Sequence, residues 1–220
     1  MSQGKLIVIE GTDGSGKTTQ TELLLARLKK ENIASESLRF PRYAENLFGA
    51  LIRECQDGKH GDFIGIDPKI GSVLYAADRF ETMPKIKAWI EEGKLVILDR
   101  YVSSNQIHQG GKIADEKDRA IFLDWLSLME FEKLGIMKPD AVFYLDMPYE
   151  VSRLLIENRK GIKDEADSNW AYLRNSKRAG EYMLGREISW VRVECAPAGD
   201  LLPREEIADA IWEKLLPMIK

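Results

Sequence analysis

Gly11, Gly16, Lys17 and Thr18 stand in the stretch GTDGSGKT, where two glycines separated by four residues are followed at once by an ammonium and a hydroxyl. The pattern fits G-x-x-x-x-G-K-[ST] without a mismatch, behind an apolar run and ahead of a helical one. Glycine lets the backbone curl until its N–H groups point inward, and the helix that follows adds the positive end of its dipole. Such a cradle suits a polyphosphate. Lys17 reaches the outer phosphates and the Thr18 hydroxyl is a ligand for Mg²⁺. Asp13, Gly14, Ser15 and Thr19 complete the loop, and the implied ligand is a nucleoside triphosphate.

A second chemical group lies at the end of LVILDRY, residues 95–101. An acid at the end of a strand neighbouring a phosphate loop approaches the same metal, directly or through water, which assigns Asp99 beside Thr18. Arg100 next to it is an awkward charge at a sheet end unless something anionic lies there. A guanidinium is suited to a bidentate phosphate contact.

These residues must be positioned by regular elements, and the chain supplies them. Apolar runs at 5–10, 35–40, 95–99, 141–145 and 190–193 read as strands, several of them continuous enough to be covered on both faces of a parallel sheet. Amphipathic stretches at 17–31, 68–92, 115–134, 148–159, 166–184 and 203–216 alternate with them as helices, with Pro84 expected to break or kink the second. The alternation is that of an α/β domain spanning residues 1–220 without repeat or linker. The segment 158–169, NRKGIKDEADSN, is charged and almost without apolar anchors, and reads either as a solvated loop or as a mobile basic lid.

Bulk properties narrow the class. With 220 residues, 44% apolar and 31% charged, the composition is that of a globular domain. A net charge of −4 gives no bulk attraction to nucleic acid or membrane, and no stretch has membrane-spanning length. Cys55 and Cys195 form no CxxC pair and are expected to be free thiols in a reducing compartment, so the expected location is cytoplasmic.

The segments EGTDGSGKTTQ, FPRY, YAADRFE and DRYVSSNQIHQGG, in this order and spacing, resemble the thymidylate kinase family, over roughly residues 5–185. The resemblance implies a three-layer P-loop NTPase fold, a five-stranded parallel sheet flanked by helices, with a small lid at about 153–169. It implies transfer of the ATP γ-phosphate to dTMP with Mg²⁺, in a homodimer. Asp13 then lies near the acceptor's 3′-hydroxyl, and Arg42 and Tyr43 near its 5′-phosphate, which Arg100 also binds. Tyr75 stacks on the base, Arg79 hydrogen-bonds it, and Asn105 meets its edge. Ser104 and Gln109 fall close to the nucleotide. Local chemistry agrees, because Tyr75 and Arg79 are four apart and share a helix face. A fixed donor favours thymine or uracil, whose O4 accepts where cytosine donates.

Three positions depart from the family pattern. Tyr75 replaces a commoner Phe and adds a hydroxyl in need of a partner. His108 stands where an aromatic packs toward the sugar C2′. Gly14 occupies the place of an arginine that supplies catalytic charge in one subgroup, so that charge is expected from the lid: Arg159 first, with Lys160, Lys163 and Arg153 as alternatives. Rival readings are a kinase for another nucleoside monophosphate and a P-loop ATP-binding regulator without a small acceptor. The apolar helix at 115–134 is read as core packing, with a dimer interface as the alternative.

Overall fold

The computed structural model describes residues 4–158 and 169–219. Five strands, β1 (Lys5–Glu10), β2 (Ser35–Arg39), β3 (Leu95–Asp99), β4 (Ala141–Asp146) and β5 (Trp190–Glu194), form one parallel sheet in the order β2-β3-β1-β4-β5. The helices are α1 (Lys17–Lys30), α2 (Leu47–Gln56), α3 (Pro68–Glu91), α4 (Val102–Ser104), α5 (Glu116–Ser127), α6 (Tyr149–Glu157), α7 (Trp170–Arg186) and α8 (Arg204–Ile219). The fold class is therefore the expected one, a parallel α/β sheet with helices on both faces.

Period two decides which side of the sheet each strand residue serves. Leu6, Val8, Val96, Leu98, Val142 and Tyr144 face one core, packed under α3, α5 and α7. Ile7, Ile9, Leu95, Ile97, Phe143 and Leu145 face the other, under α1 and α8. Because both faces are covered, the central strands carry no polar alternation, and this makes them legible as continuous apolar runs.

Three features differ from the sequence expectations. The helix at 68–91 runs through Pro84 without a break. Both Pro84 and Phe80 are exposed, so water can bond the carbonyl that the proline ring deprives, while Met83 and Ile86 anchor the buried face. Helix α2 lies in a stretch that carried no helix expectation. Beyond α4 the hydrogen bonding widens to a π-helical turn over Asn105–Gln109 and tightens again over Gly110–Lys112, so DRYVSSNQIHQGG is almost wholly helical. Helix α5 likewise ends in a π-helical turn, Leu128–Lys133.

Gly180 of α7 is where the helix comes down on the sheet: a Cβ there would meet the Tyr144 hydroxyl at 2.2 Å. Gly180→Ala is expected to lower stability by about 1–3 kcal/mol through overpacking. Urea unfolding measures it, and an unchanged midpoint would show that α7 shifts freely.

Candidate active site

The phosphate loop sits between β1 and α1. Register places Ile9 opposite Asp99, so the loop and the end of β3 leave the sheet side by side. Gly14 and Gly16 hold φ of 79° and 87°, the left-handed region that glycine reaches at least cost. Helix α1 begins at Gly16 with no side-chain cap and no acid in its first turn. By contrast, Asp67 caps α3 and Asp115 caps α5. The first N–H groups of α1 thus remain available to an anion. Lys17 lies buried in the loop, its ammonium donating to the Gly11 and Thr12 carbonyls at 2.9 Å each. Burial, with Arg100 adding repulsion, pushes it down to about 8.

Thr18 donates to Asp99 Oδ2 at 2.9 Å, as the metal assignment requires of neighbours. Asp99 Oδ1 is buried without a hydrogen-bond partner. An unpartnered carboxylate oxygen beside a hydroxyl is a hard oxygen donor set, which fits Mg²⁺.

Arg100 is held in the left-handed region at φ 70°, which costs a side-chain-bearing residue roughly 1–2 kcal/mol. The turn aims its guanidinium back across the sheet end to Asp13, with which it forms a hydrogen-bonded ion pair. Burial would raise the Asp13 carboxyl, but the Arg100 and Lys17 charges outweigh it and hold the group well below the usual carboxylate range. The fully buried Glu10 underlies this pair. It accepts from the Gly11 N–H at 2.9 Å and from the Ser103 and Ser104 hydroxyls at 2.6 and 2.7 Å.

His108 is buried rather than a loop histidine at the surface. Arg100 Nη1 lies 3.1 Å from its Nε2, and Ser176 Oγ lies 3.1 Å from its Nδ1. Because the Ser176 hydroxyl donates to the Tyr172 carbonyl at 2.9 Å, it must accept from Nδ1–H, which leaves Nε2 to accept from Arg100. The ring is therefore neutral, and burial pushes its pKa down to about 3. Tyr172 stacks on it, centroids 5.5 Å apart and 16° between planes. The aromatic surface that the resemblance puts at position 108 comes here in part from α7.

A cleft of about 870 Å³, open mouth included, runs from Asp13 and Arg100 to Tyr75, Arg79 and Asn105, with Ser104, His108 and Gln109 along its wall. Gln56 donates to the Tyr75 hydroxyl at 3.4 Å, and the Phe63 ring lies 5.8 Å from that of Tyr75, so the extra hydroxyl has its partner. Arg79 is bidentate to the buried Glu130, Nε to Oε2 at 2.7 Å and Nη2 to Oε1 at 2.6 Å. Asn105 Nδ2 also donates to Glu130 Oε1, at 2.9 Å.

Of the sequence candidates, Arg42 and Tyr43 do not line this cleft. Arg42 pairs with Glu45 and gives its backbone N–H to Asp78, and the Tyr43 ring sits under the Arg53 guanidinium. Arg159, Lys160 and Lys163 lie outside the described residues. Arg153 is exposed on α6, bonded to Glu157 at 2.8 Å and 5.2 Å from the Trp170 ring. A Cβ at Gly14 would stand 2.6 Å from the Ser152 carbonyl and 2.9 Å from Ile156, so an arginine at this position is incompatible with α6 where it lies. Glu10, Gln56, Phe63, Glu130 and Tyr172 were not among the sequence candidates. Glu130 did leave a signal: it continues the buried stripe of Phe122 and Leu126 at four-residue spacing, where a charge is out of place.

Comparison with known proteins gives a consistent result. The family model described as thymidylate kinase matches residues 9–194. A probable thymidylate kinase of Thermococcus onnurineus is 37% identical over 192 residues, 85% of this chain and 87% of that protein. One from Thermococcus kodakarensis is 38% identical over 166 residues, 73% and 75% of the two chains. The thymidylate kinase of Mycobacterium tuberculosis is 33% identical over 147 residues, 67% and 68%. The solved thymidylate kinase of Candida albicans shares the fold, with a TM-score of 0.77 over 99% of this chain and 93% of that one at 23% identity.

The His108 environment sets a pH dependence. The unfolded chain takes up the histidine proton near the ordinary value, whereas the folded chain resists it down to about 3. His108 thus contributes stability above the ordinary value and loses it as pH falls toward 3. His108→Gln should lose less stability than the wild type between neutral pH and about pH 4 in urea unfolding. Parallel pH profiles would remove the neutral buried ring from the account.

Proposed function

The chain belongs to the thymidylate kinase family, and from that premise we propose that it transfers the γ-phosphoryl group of ATP to the 5′-phosphate of dTMP, giving ADP and dTDP. It is an ATP-dependent phosphotransferase of the nucleoside monophosphate kinase class. The observation that carries the dTMP reading is the single cleft that begins at the phosphate loop and ends on groups able to stack and read a base. A regulator that only switches with ATP has no use for a second base pocket.

Transfer between two phosphates asks the protein to align donor and acceptor and to neutralise spreading negative charge. In this proposal the first turn of α1 and Lys17 hold the ATP phosphates. Thr18 and Asp99 would hold Mg²⁺, which when bound neutralises charge on the outer phosphates. Arg100 holds the 5′-phosphate of dTMP, kept in place by Asp13 and by the neutral His108 ring. Arg42 and Tyr43 serve the same phosphate. Asp13 meets the sugar, Tyr75 stacks on thymine, and Ser104, Asn105 and Gln109 line its approach. The acceptor oxygens are ionised near neutral pH, so no general base is required. Further positive charge comes from the lid, with Arg159 the assigned residue and Arg153, Lys160 and Lys163 its neighbours.

We also propose a cytoplasmic homodimer. Cys55 and Cys195 are free thiols. Ile70, Val73 and Phe80 of α3 are exposed, as is Ile121 of the adjoining α5. An apolar face of that kind is what a second copy covers. Among the described residues no helix is long and apolar enough to cross a membrane.

ADP release is expected with dTMP, and dUMP, lacking one methyl, should be about 10- to 200-fold poorer in kcat/KM. Absence of dTMP-dependent ADP would overturn the kinase reading. Lys17→Ala should lose about 100- to 1,000-fold in kcat while keeping its melting temperature within a few degrees. Phe80→Glu should give the monomer mass in analytical ultracentrifugation where the wild type gives the dimer. Equal masses would move the interface elsewhere.

A further inference from the structure

Asn105 and Arg79 present the base end of the cleft with two polar side chains whose orientation is fixed from behind by one carboxylate. Glu130 is fully buried and comes from the π-helical turn that ends α5, 51 residues from Arg79 in sequence. Its two oxygens take three donors: Arg79 Nε, Arg79 Nη2 and Asn105 Nδ2.

The consequence for Asn105 is a matter of donors and acceptors. Its amide nitrogen has two hydrogens, one directed to Glu130 Oε1 at 2.9 Å and the other to the Ser72 carbonyl at 3.2 Å. Both neighbours only accept, so the opposite flip would set the amide oxygen against two acceptors. The atom Asn105 can turn to the cleft is its Oδ1. Arg79 has five N–H groups, two committed to Glu130 and one to the Tyr101 carbonyl at 3.2 Å, so two remain on a side chain that lines the cleft. The pair therefore shows an acceptor beside a donor. An imide edge answers it with N–H and C=O. A cytosine edge has an unprotonated ring nitrogen and an amino donor there, reversed at both places.

We propose that Glu130 is the positioning residue for base selection: by holding the Asn105 amide oxygen-outward and the Arg79 guanidinium in one plane, it makes the cleft select pyrimidines with an imide edge over those with an amino group. This rests on the dTMP reading for the location of the base, and adds a residue that touches no substrate.

Isosteric Glu130→Gln separates the two duties. A glutamine has one acceptor and one NH₂, so it cannot take three donors. With its NH₂ toward Asn105, that amide turns over and presents its own NH₂ to the cleft. Glu130→Asp keeps the charge for Arg79 and withdraws the carboxylate by one methylene, which provides a second variant should the glutamine substitution prevent folding. Binding of dTMP and of dCMP to the full chain without ATP, by titration calorimetry, reads the outcome. It needs no turnover, so a chain that binds dTMP but transfers no phosphate would fail the kinase reading and leave this one standing.

The wild type is expected to prefer dTMP. Both Glu130 variants should lose at least about tenfold of that preference, with ATP affinity unchanged, since a wrong pairing at one base edge carries about this much discrimination. Asn105→Ala should lower the preference in the wild type and lower it little further in Glu130→Gln, because the two act through one amide. A Glu130 carboxylate that only stabilises the fold would shift the melting temperature and leave the dTMP to dCMP ratio where it was. That result, in whichever Glu130 variant folds, or a wild type that binds both nucleotides equally, overturns the proposal.

Discussion

A buried carboxylate joins the two halves of the site. Glu10 ends the central strand with no exposure to solvent, and a charge in that position persists only if its oxygens are fully bonded. It takes the first N–H of the phosphate loop on one oxygen and the Ser103 and Ser104 hydroxyls on the other. The phosphate-loop motif and the helix that lines the cleft, proposed above to hold donor and acceptor, are thus fixed to the same anion. Arg100, 3.9 Å from it, completes the charge balance. Displacing either half would leave a buried charge without partners, so the spacing between donor and acceptor becomes a property of the core.

The positive side of the site is organised by the same logic. Arg100 accepts a strained backbone conformation to bring its guanidinium over Asp13, Glu10 and His108. A chain of hydrogen bonds from Tyr172 through Ser176 sets the tautomer of His108, and the tautomer in turn leaves an acceptor for Arg100. Helix α7 therefore reaches His108 twice, by the Tyr172 ring and by the Ser176 hydroxyl. A cation fixed by three neighbours would need little reorganisation to meet the phosphate proposed for it, which is the condition for strong electrostatic stabilisation.

At the far end of the cleft, the selection proposed above is built on a buried ion pair. Such pairs are weak as a source of stability, because desolvation offsets most of the attraction. Their value lies in geometry. The Arg79 fork meets the Glu130 carboxylate at two points, and this two-point contact settles where the remaining N–H groups and the Asn105 amide can point. The π-helical turns at Asn105–Gln109 and Leu128–Lys133 supply both sides of this arrangement, as such turns often do at functional sites.

What the amino-acid sequence determined by itself was the donor half. A phosphate cradle is made of backbone, so its residues are contiguous: GTDGSGKT and the run before it were readable as strand, loop and helix, and the doubly covered strands were readable because nothing in them needs to be polar. The resemblance carried Arg100, Tyr75 and Arg79 to the acceptor side, and they do line one cleft. The tertiary structure alone decided how those side chains are held. Glu130 and Arg79 are far apart in sequence, as are Ser176 and His108 and Ser103 and Glu10, and each pair matters only through a hydrogen bond that local pattern cannot express. Pro84 makes the same point for the fold: its local preference is to break a helix, and burial of its neighbours on the sheet overrides it. Short-range chemistry is written in adjacent residues, whereas the partner that satisfies a buried charge is chosen by packing.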